Sequence, residues 1–362
     1  MSKIKVSVLL ALLALVFFVP AKAQLQNEDV YELPELKQGT GLNYRFNINL
    51  PDLDGYKTLR CDFHTHSVFS DGRVWPTMRV IEAWLDGLDA VAITDHIEYL
   101  RYKDIFVADF NKSSELAEKK GKAIGMMVIR GAEITRNKPL GHLNALFLND
   151  ASKLKVDNEL EAIEEAVKQG AYIQWNHPGW PNDTSAMYPV HKQLIAENKI
   201  HGIEVFNSSE FYPKVLDWCD EYGLAYFANT DLHYASASVY REKMARPMTL
   251  VFAKEESLEG IKEALIDGRT LAYFDHHLAG KEALLKEFVK KSIAVKVVNA
   301  DKGIIELSNN SDINYDIQFG KYMYPLTLKA HYTLRVKMPS ATDVTFVNCM
   351  IRQNKKLVMQ LW

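Results

Sequence analysis

LRCDFHTHS, residues 59–67, is the stretch that decides the fold of this chain. It begins as an apolar strand pattern and ends in two imidazole side chains that are two residues apart. Alternate residues of a strand point to the same face, so His64 and His66 can project toward one ligand. Paired imidazoles suit a transition-metal ion. The stretch therefore predicts a buried strand that ends in a metal site.

Six further apolar runs follow between residues 90 and 230, and amphipathic helical segments separate most of them. Repeated strand–helix units are typical of a parallel sheet, and this many strands can close a barrel. The predicted strands are Leu59–Phe63, Ala90–Thr94, Met127–Glu133, Leu143–Leu148, Ala171–Trp175, Gly202–Phe206 and Leu224–Thr230, and the predicted helices include Thr77–Gly87, Ser113–Gly121, Asn158–Gly170 and Pro213–Tyr222.

Imidazole and carboxylate side chains stand at the ends of these strands or in the adjacent turns. The carboxyl ends of barrel strands converge on one mouth, where active sites are built. A single strand-end histidine is more commonly a hydrogen-bonded core residue, but six of the eleven histidines fall in this set. We therefore predict a metal centre whose ligands are His64, His66, Asp71, His96, Glu133, His142, His177, Asp231 and His233.

The N-terminus has the pattern of a cleavable signal peptide. Lys3 and Lys5 precede an apolar run over residues 6–19, and the sequence Ala21-Lys22-Ala23 fits a cleavage site. An uncleaved membrane anchor is the alternative, although the apolar run is shorter than the ~20 residues that a span needs. We expect a secreted or periplasmic protein that begins at Gln24 after cleavage and has no membrane span.

The pattern changes again near the C-terminus, where five short strands separated by turn clusters predict a small β-sandwich. The fold class is therefore α/β, with a distorted seven-stranded (β/α) barrel followed by an all-β domain. The predicted boundaries are 1–23 for the signal peptide, 24–57 for an N-terminal leader, 58–277 for the barrel, 278–291 for a helical linker and 292–362 for the sandwich.

Composition excludes several function classes. The formal net charge is -3 and the pI is about 6.4, so no basic excess points to an obligate nucleic-acid partner. Only three cysteines are present, at wide spacings, which implies neither a disulfide framework nor a thiolate zinc site. The sequence also lacks a GxxxxGK[ST] phosphate loop and a GxSxG nucleophile motif.

The ordered motifs HTHS, SDG, TDH, GAE, GH, NHPG and NTDLH resemble those of the PHP superfamily, the polymerase and histidinol phosphatase group. The resemblance spans residues 58–275 and implies a distorted seven-stranded barrel with a trinuclear metal centre. It is closest to the stand-alone phosphoesterase branch, because Asp71 stands where some members have histidine. The implied ligand sets are His64, His66, Glu133 and Asp231 for one ion, Glu133, His142 and His177 for a second, and Asp71, His96 and His233 for the third.

The expected function is a secreted phosphoesterase that hydrolyses small phosphate mono- or diesters, with two or three Zn, Mn or Fe ions activating a water. Two alternatives remain open, namely a metal-dependent nuclease on short oligonucleotides and a non-catalytic binding protein with structural metals. The candidate catalytic residues are Glu133, Asp231, His233 and Arg241, and the weaker candidates for support or substrate contact are Glu204, Asn176, Asn207, Trp175, Trp180, Tyr102 and the pair His276-His277.

Overall fold

A parallel-rich sheet organises most of the chain. The computed structural model describes residues 44–105, 109–182, 184–320, 324–338 and 342–362, so the predicted signal peptide and residues 24–43 of the predicted leader lie outside the described residues. The first eleven strands are β1 (Lys57–Asp62), β2 (Ala90–Ile93), β3 (Met127–Thr135), β4 (His142–Leu146), β5 (Tyr172–Trp175), β6 (Gly202–Asn207), β7 (Glu210–Phe211), β8 (Ala225–Asn229), β9 (Met248–Ala253), β10 (Thr270–Phe274) and β11 (His277–Gly280).

Helices cross between many of these strands. The α-helices are α1 (Pro76–Leu85), α2 (Lys112–Ile124), α3 (Glu159–Lys168), α4 (Pro189–Ala196), α5 (Pro213–Tyr222), α6 (Ser236–Val239), α7 (Leu258–Ile266) and α8 (Glu282–Ser292). Several of them bury apolar residues, as at Val80 and Ala83 of α1. The helices therefore cover the sheet in the way that the alternating pattern predicts.

Strand β4 is the main departure from a wholly parallel sheet. Strands β1, β2 and β3 are parallel neighbours, and β6 is parallel to both β5 and β8, but β4 runs antiparallel to both β3 and β5. The interval of six residues between β3 and β4 is too short for a helical crossover, so the chain turns back directly. Strands β9 and β10, which were not among the seven predicted strands, add antiparallel partners beside β1.

Threonine side chains join β8 to β9 and β10. The Thr249 hydroxyl of β9 lies 3.0 Å from both the N–H and the carbonyl oxygen of Ala228 in β8. The Tyr226 N–H of β8 donates to the Thr270 hydroxyl of β10 at 3.0 Å. Side-chain hydrogen bonds thus hold β8 against the first-strand side of the sheet, and the predicted barrel-like α/β class is confirmed.

Helix α2 is longer than the sequence pattern predicts, because Gly121 does not end it. A Cβ at Gly121 would lie 2.6 Å from both the Met126 carbonyl oxygen and the Val128 side chain, so glycine here permits close packing. The helix ends instead at Gly125, whose φ of 72° is the left-handed conformation that glycine adopts without strain.

The C-terminal region is all-β, as predicted, and it is hydrogen-bonded to the barrel sheet. Its strands are β12 (Ile293–Asn299), β13 (Ile304–Asn309), β14 (Tyr315–Phe319), β15 (Leu326–Leu328), β16 (Thr333–Lys337), β17 (Asp343–Arg352) and β18 (Lys355–Gln360). Strands β12, β13 and β16 form a separate sheet. Strand β17 pairs in parallel with β11, so β14, β15, β17 and β18 continue the barrel sheet.

Helix α8, within the predicted linker, lies inside a core that the barrel and the C-terminal strands share. Leu285, Phe288 and Val289 are fully buried, and the Phe288 ring lies 5.9 Å from that of Phe252 in β9. Tyr315 of β14 belongs to the same cluster. The described part of the predicted leader also packs here, since Ile48 and Leu53 are buried.

The remaining sequence expectations concern cysteines and membrane spans. Cys61, Cys219 and Cys349 are all free and buried, in agreement with their predicted role as small apolar residues. Among the described residues, no helix is both long and apolar enough to cross a bilayer.

The shared core predicts that a cavity at α8 will destabilise the barrel and the C-terminal strands together. Replacing Phe288 with Ala should cost about 3–5 kcal/mol of unfolding free energy in a single cooperative transition. Urea denaturation followed by both tryptophan fluorescence and circular dichroism measures this. The exposed neighbour Lys290→Ala is the control and should change stability by less than about 0.5 kcal/mol. Two separate transitions would show that the regions do not share a core.

Candidate metal centre

All nine predicted ligands meet at one end of the barrel. Three groups of side chains bring ligand atoms within 4.8 Å of one another. His142 adjoins them through its Nδ1, which lies 3.1 Å from Glu133 Oε1. The groups are His66, Asp71, His96 and His233, then His64, Glu133 and His177, and finally His64, His66 and Asp231.

The backbone leaves regular strand geometry near the strand ends, and this change orients the predicted ligand side chains. The chain after β1 pairs with the chain after β8 through a parallel bridge between Thr65 and Leu232. Asp231, just before that bridge, has a φ of 52°, and His177 has a φ of 25°. Such left-handed conformations are unusual away from glycine and cluster at functional sites. They turn both side chains into the space that the strand ends enclose.

Four buried ligand atoms point at one another without hydrogen-bond partners. They are His64 Nε2, His66 Nε2, Glu133 Oε2 and Asp231 Oδ1. His66 Nε2 lies 3.0 Å from Asp231 Oδ1 and 3.6 Å from Glu133 Oε2, yet neither contact has hydrogen-bond geometry. Buried polar atoms are rarely left unpaired, because each costs about 1–3 kcal/mol. Divalent cations would satisfy all four atoms, so the residues fit a metal centre.

Glu204 holds the imidazole of His64 from behind. This fully buried carboxylate accepts from His64 Nδ1 at 2.8 Å and, through its other oxygen, from the backbone N–H of His177 at 2.7 Å. Gln174, Asn207 and Asn229 donate to it as well. Carboxylates that accept from the far nitrogen of a metal-binding imidazole fix its tautomer and orientation. The earlier candidate Glu204 is therefore a positioning residue.

A second buried network supports the other side of the cluster. Arg246 is almost fully buried and donates to Asp62 at 2.8 Å, and it also pairs with Asp86. Asp62 in turn accepts from the Thr230 hydroxyl at 2.5 Å, next to Asp231. Arg79 donates to the carbonyl oxygen of His66 at 2.9 Å. Sequence reasoning missed Arg79, Asp86 and Arg246, since none of these three lies in a strand-end motif.

The observed grouping refines the one that the resemblance implies. His66 lies with Asp71, His96 and His233 as well as with His64 and Asp231, so it stands between two groups. His96 presents Nδ1 to Glu133 Oε2 at 2.7 Å and Nε2 to Asp71 Oδ1 at 3.5 Å. Glu133 belongs to the group of His64 and His177 and also contacts His96 of the first group.

Opposite charges shift the pKa values in the cluster. Burial would lower the pKa of His64, but Asp231, Glu204 and Glu133 outweigh it and hold that pKa well above the ordinary value. For His96, burial is likewise outweighed by Glu133, which raises its pKa to about 9. Burial and the neighbouring His96 lower the pKa of His66 to about 4. Burial alone would raise the pKa of Glu133, but His96 and His64 lower it well below its usual range. In the absence of cations, protons on His64 and His96 therefore balance the buried carboxylates.

A cavity of about 730 Å³ opens onto the metal ligands. Its outer wall carries two exposed aromatic rings, Tyr99 beside His96 and Trp180, whose ring lies 4.9 Å from that of His142. The remaining lining residues are Asp71, Glu98, Glu133, Thr135, Arg136, Asn137, His177, Asn207, Ser208, Ser209, Glu210, Asp231 and His233.

Several cavity residues were missed from the sequence although a signal was present. Glu98 and Tyr99 follow the TDH motif after one intervening residue, and Arg136 lies three residues after Glu133. Arg136 Nη1 pairs with Glu98 Oε1 at 2.6 Å, and Nη2 donates to the Val156 carbonyl oxygen at 2.8 Å. The signal was their position just beyond a strand-end ligand, because the loops that follow these ligands also line the mouth of the barrel.

The other candidate residues have distinct positions. Asn176 donates to the predicted ligand Glu133 at 3.0 Å, and Asn207 donates at 2.8 Å to Glu204, the carboxylate that positions His64. Arg241 is exposed and is not among the residues that line the cavity. Trp175 stacks on His191 at 3.8 Å, and neither Trp175 nor Tyr102 lines the main cavity.

The pair His276-His277 lies at the turn between β10 and β11. His276 Nδ1 accepts from the Asn314 N–H at 3.1 Å, and the His276 carbonyl oxygen accepts from Asn348 at 2.6 Å. His276 therefore anchors the C-terminal strands, and neither histidine lines the cavity.

Comparison with known proteins identifies three similarities. The profile of the family described as PHP domain matches residues 62–309. A crystal structure of a two-domain protein containing a predicted PHP-like metal-dependent phosphoesterase, from Bacteroides vulgatus, is 39% identical with a TM-score of 0.84 and covers 88% of this chain and 98% of that chain. An uncharacterised protein of Methanocaldococcus jannaschii is 29% identical over 185 residues, which is 48% of this chain and 82% of that protein.

The raised imidazole pKa values predict that metal binding releases protons. Cations require neutral imidazoles, so Zn²⁺ must displace protons from groups such as His64 and His96 at pH 7. Affinity should weaken as pH falls from 8 to 6, by roughly tenfold per pH unit for each proton displaced. Calorimetric titrations in buffers of different ionisation enthalpy count these protons.

The exposed His277 supplies the control for that titration. His277→Gln should leave the proton count unchanged, because this residue lies outside the ligand cluster. A Zn²⁺ affinity that stays constant from pH 6 to pH 8, without proton release, would contradict the electrostatic description of the site.

Proposed function

This chain belongs to the PHP-domain family, and we propose that it hydrolyses small phosphate mono- or diesters with the help of two or three divalent cations. The convergence of four buried, unpaired ligand atoms below an open cavity carries the proposal. Imidazoles and carboxylates together favour Zn, Mn or Fe. When bound, such cations would withdraw charge from phosphate oxygens and make a water molecule more acidic.

The burial of Glu133, Asp231 and His233 indicates a different role for each side chain. Glu133 borders the cavity but is almost fully buried at its side chain, so it contributes negative charge that holds cations together. Asp231 and His233 are 20% and 28% exposed at their side chains and line the cavity, within reach of a substrate. His233 Nδ1 donates to the Asp231 carbonyl oxygen at 2.8 Å, which orients Nε2 toward Asp71.

The cavity wall favours a substrate with few phosphate groups. Arg136 is the one Lys or Arg among the described residues that line it, and Glu98 already pairs with that guanidinium. Glu98 and Glu210 add negative charge to the wall. A long polyanion would be repelled here, because binding of that kind relies on many cationic contacts. The cations would supply most of the attraction for a single phosphoryl group.

Export is a further part of the proposal. The basic residues, the apolar run and Ala21-Lys22-Ala23 support a signal peptide that is cleaved after Ala23. Mass spectrometry of protein recovered from the periplasm or medium should show Gln24 as the first residue, whereas an intact Met1 in membranes would contradict cleavage.

A substrate panel tests the reaction itself. Zn- or Mn-loaded protein is assayed with p-nitrophenyl phosphate, bis-p-nitrophenyl phosphate and a dinucleotide. We expect turnover of at least one of the first two and its loss after treatment with a strong chelator. The absence of turnover on the whole panel, with metal bound, would favour a binding protein with structural metals.

Two isosteric substitutions test the roles of the carboxylates. Glu133→Gln keeps the size of the side chain but removes the charge that faces five imidazoles, so both adjoining cations should bind poorly. We expect a rate loss of several orders of magnitude, on the order of 10³ or more. Asp71→Asn leaves the His64, Glu133 and His177 group intact and should lower occupancy by about one ion, with a smaller rate loss.

Metal content, thermal midpoint and turnover are measured on both variants. Equal destabilisation of the two variants with no change in metal per folded molecule would mean that the carboxylates serve only as structural ion pairs. A Glu133→Gln variant with full metal content and near wild-type turnover would refute the bridging role.

A further inference from the structure

A second cavity of about 420 Å³ adjoins the first, and the two share a wall. Trp180 and Glu210 line both cavities. Trp180 is 53% exposed and stands beside His142 and His177, with ring distances of 4.9 Å and 5.9 Å. A molecule whose phosphate lies at the metal ligands could therefore pass this indole and continue into the second cavity.

The chemistry of the second cavity is that of neutral hydrogen bonding around aromatic rings. The described lining residues include amide and hydroxyl side chains as well as aromatic rings, and among them one carboxylate is matched by one ammonium group. Hydroxyl-bearing rings suit such a wall, because their C–H faces pack on aromatics while their hydroxyls both donate and accept. The described lining residues are Gly179, Trp180, Pro181, Asn182, Thr184, Ser185, Glu210, Phe211, Tyr212, Pro213, Lys214 and Gln353.

Phe211 is held in place as a platform. Strand β7 pairs antiparallel with β6, with Phe211 opposite Phe206, and the two rings stack at 5.0 Å. One face of Phe211 is thus packed, yet the residue remains 40% exposed. Beside it, the Tyr212 hydroxyl donates to Glu210, which fixes the carboxylate at the boundary between the cavities. An exposed, preorganised ring of this kind binds at little entropic cost.

The C-terminal region supplies the last part of the wall. The turn between β17 and β18 docks on helix α5, where the Gln353 N–H donates to Asp217 at 3.1 Å and Arg352 pairs with Asp220. These contacts place Gln353 in the lining of the second cavity, far along the chain from every metal ligand. The region beyond the barrel thus reaches the neighbourhood of the reaction site.

We infer that the second cavity is a subsite for a glycosyl group of the substrate, and that the C-terminal region helps to form it through Gln353. This inference rests on the proposed phosphoesterase function, which it narrows to phosphorylated sugars of more than one ring. The phosphate-bearing ring would occupy the first cavity, and the next ring would lie between Phe211 and Gln353. Tyr99, which lines only the first cavity, is left for the phosphate-bearing ring.

A pair of substrates that differ by one ring tests the subsite. Glucose 6-phosphate fills only the first cavity, whereas trehalose 6-phosphate carries one further glucosyl ring. Metal-loaded wild-type protein should show a kcat/KM at least about tenfold higher for the disaccharide. Phe211→Ala and Gln353→Ala should each reduce that preference by roughly fivefold, in line with the loss of one packing or hydrogen-bond contact. Turnover of glucose 6-phosphate should stay within about twofold.

Asn354→Ala is the matched control. Asn354 is the next residue of the same turn, is exposed and lines neither cavity, so this variant should keep the wild-type preference. Equal turnover of the two sugars by wild-type protein would overturn the inference. So would equal losses on both sugars in the Phe211 and Gln353 variants.

Calorimetric binding of the same two sugars to metal-loaded protein separates this inference from the proposed function. If neither sugar is hydrolysed but trehalose 6-phosphate binds at least about tenfold more tightly, and the two variants remove that difference, the subsite stands and hydrolysis of these esters fails. If both sugars bind equally, the subsite is refuted whether or not hydrolysis occurs.

Discussion

Burial of the Glu133 carboxylate is the constraint on which the rest of the site depends. Five imidazoles lie within 3.6 Å of its two oxygens, and all five histidines are buried. An isolated buried carboxylate is too costly to keep charged, so positive charge must be supplied nearby. That positive charge can come from protons on the imidazoles or from cations that the imidazoles bind. The same cluster can therefore fold without metal and still be built to bind it.

This constraint extends into the barrel as a polar layer. Glu204 carries a second buried charge behind His64, and Gln174, Asn207 and Asn229 meet it with hydrogen bonds. Asn229 also accepts from the Phe63 N–H at 2.8 Å, which ties the layer to β1. Buried networks of this kind are stabilising only when each member is satisfied. The unpaired atoms are therefore informative, because in the cluster they occur on the side that faces the ligand space.

The sequence predicted the parts of the molecule that local pattern controls. His64 and His66 follow β1, Glu133 lies in β3, and the motifs after β2, β5 and β8 each placed a ligand, so the convergence followed from barrel geometry. Longer-range features could not be predicted in this way. The pairing of β11 with β17 joins residues about seventy positions apart without a local signal. Gly121 was taken for a helix end, although its role is close packing. Arg246 supports Asp62 through contacts that only the folded chain creates.

The central claim is that the unpaired atoms of His64, His66, Glu133 and Asp231 are ligands and not strained ion pairs. Anomalous diffraction from crystals soaked in Mn²⁺ or Zn²⁺, with data collected on both sides of the metal edge, tests it most directly. We predict at least two anomalous peaks, one of them within about 2.0–2.3 Å of His64 Nε2 or His66 Nε2 and a carboxylate oxygen. A fully soaked crystal with no peak in this cluster, and with the imidazoles bonded directly to Glu133 and Asp231, would contradict the claim.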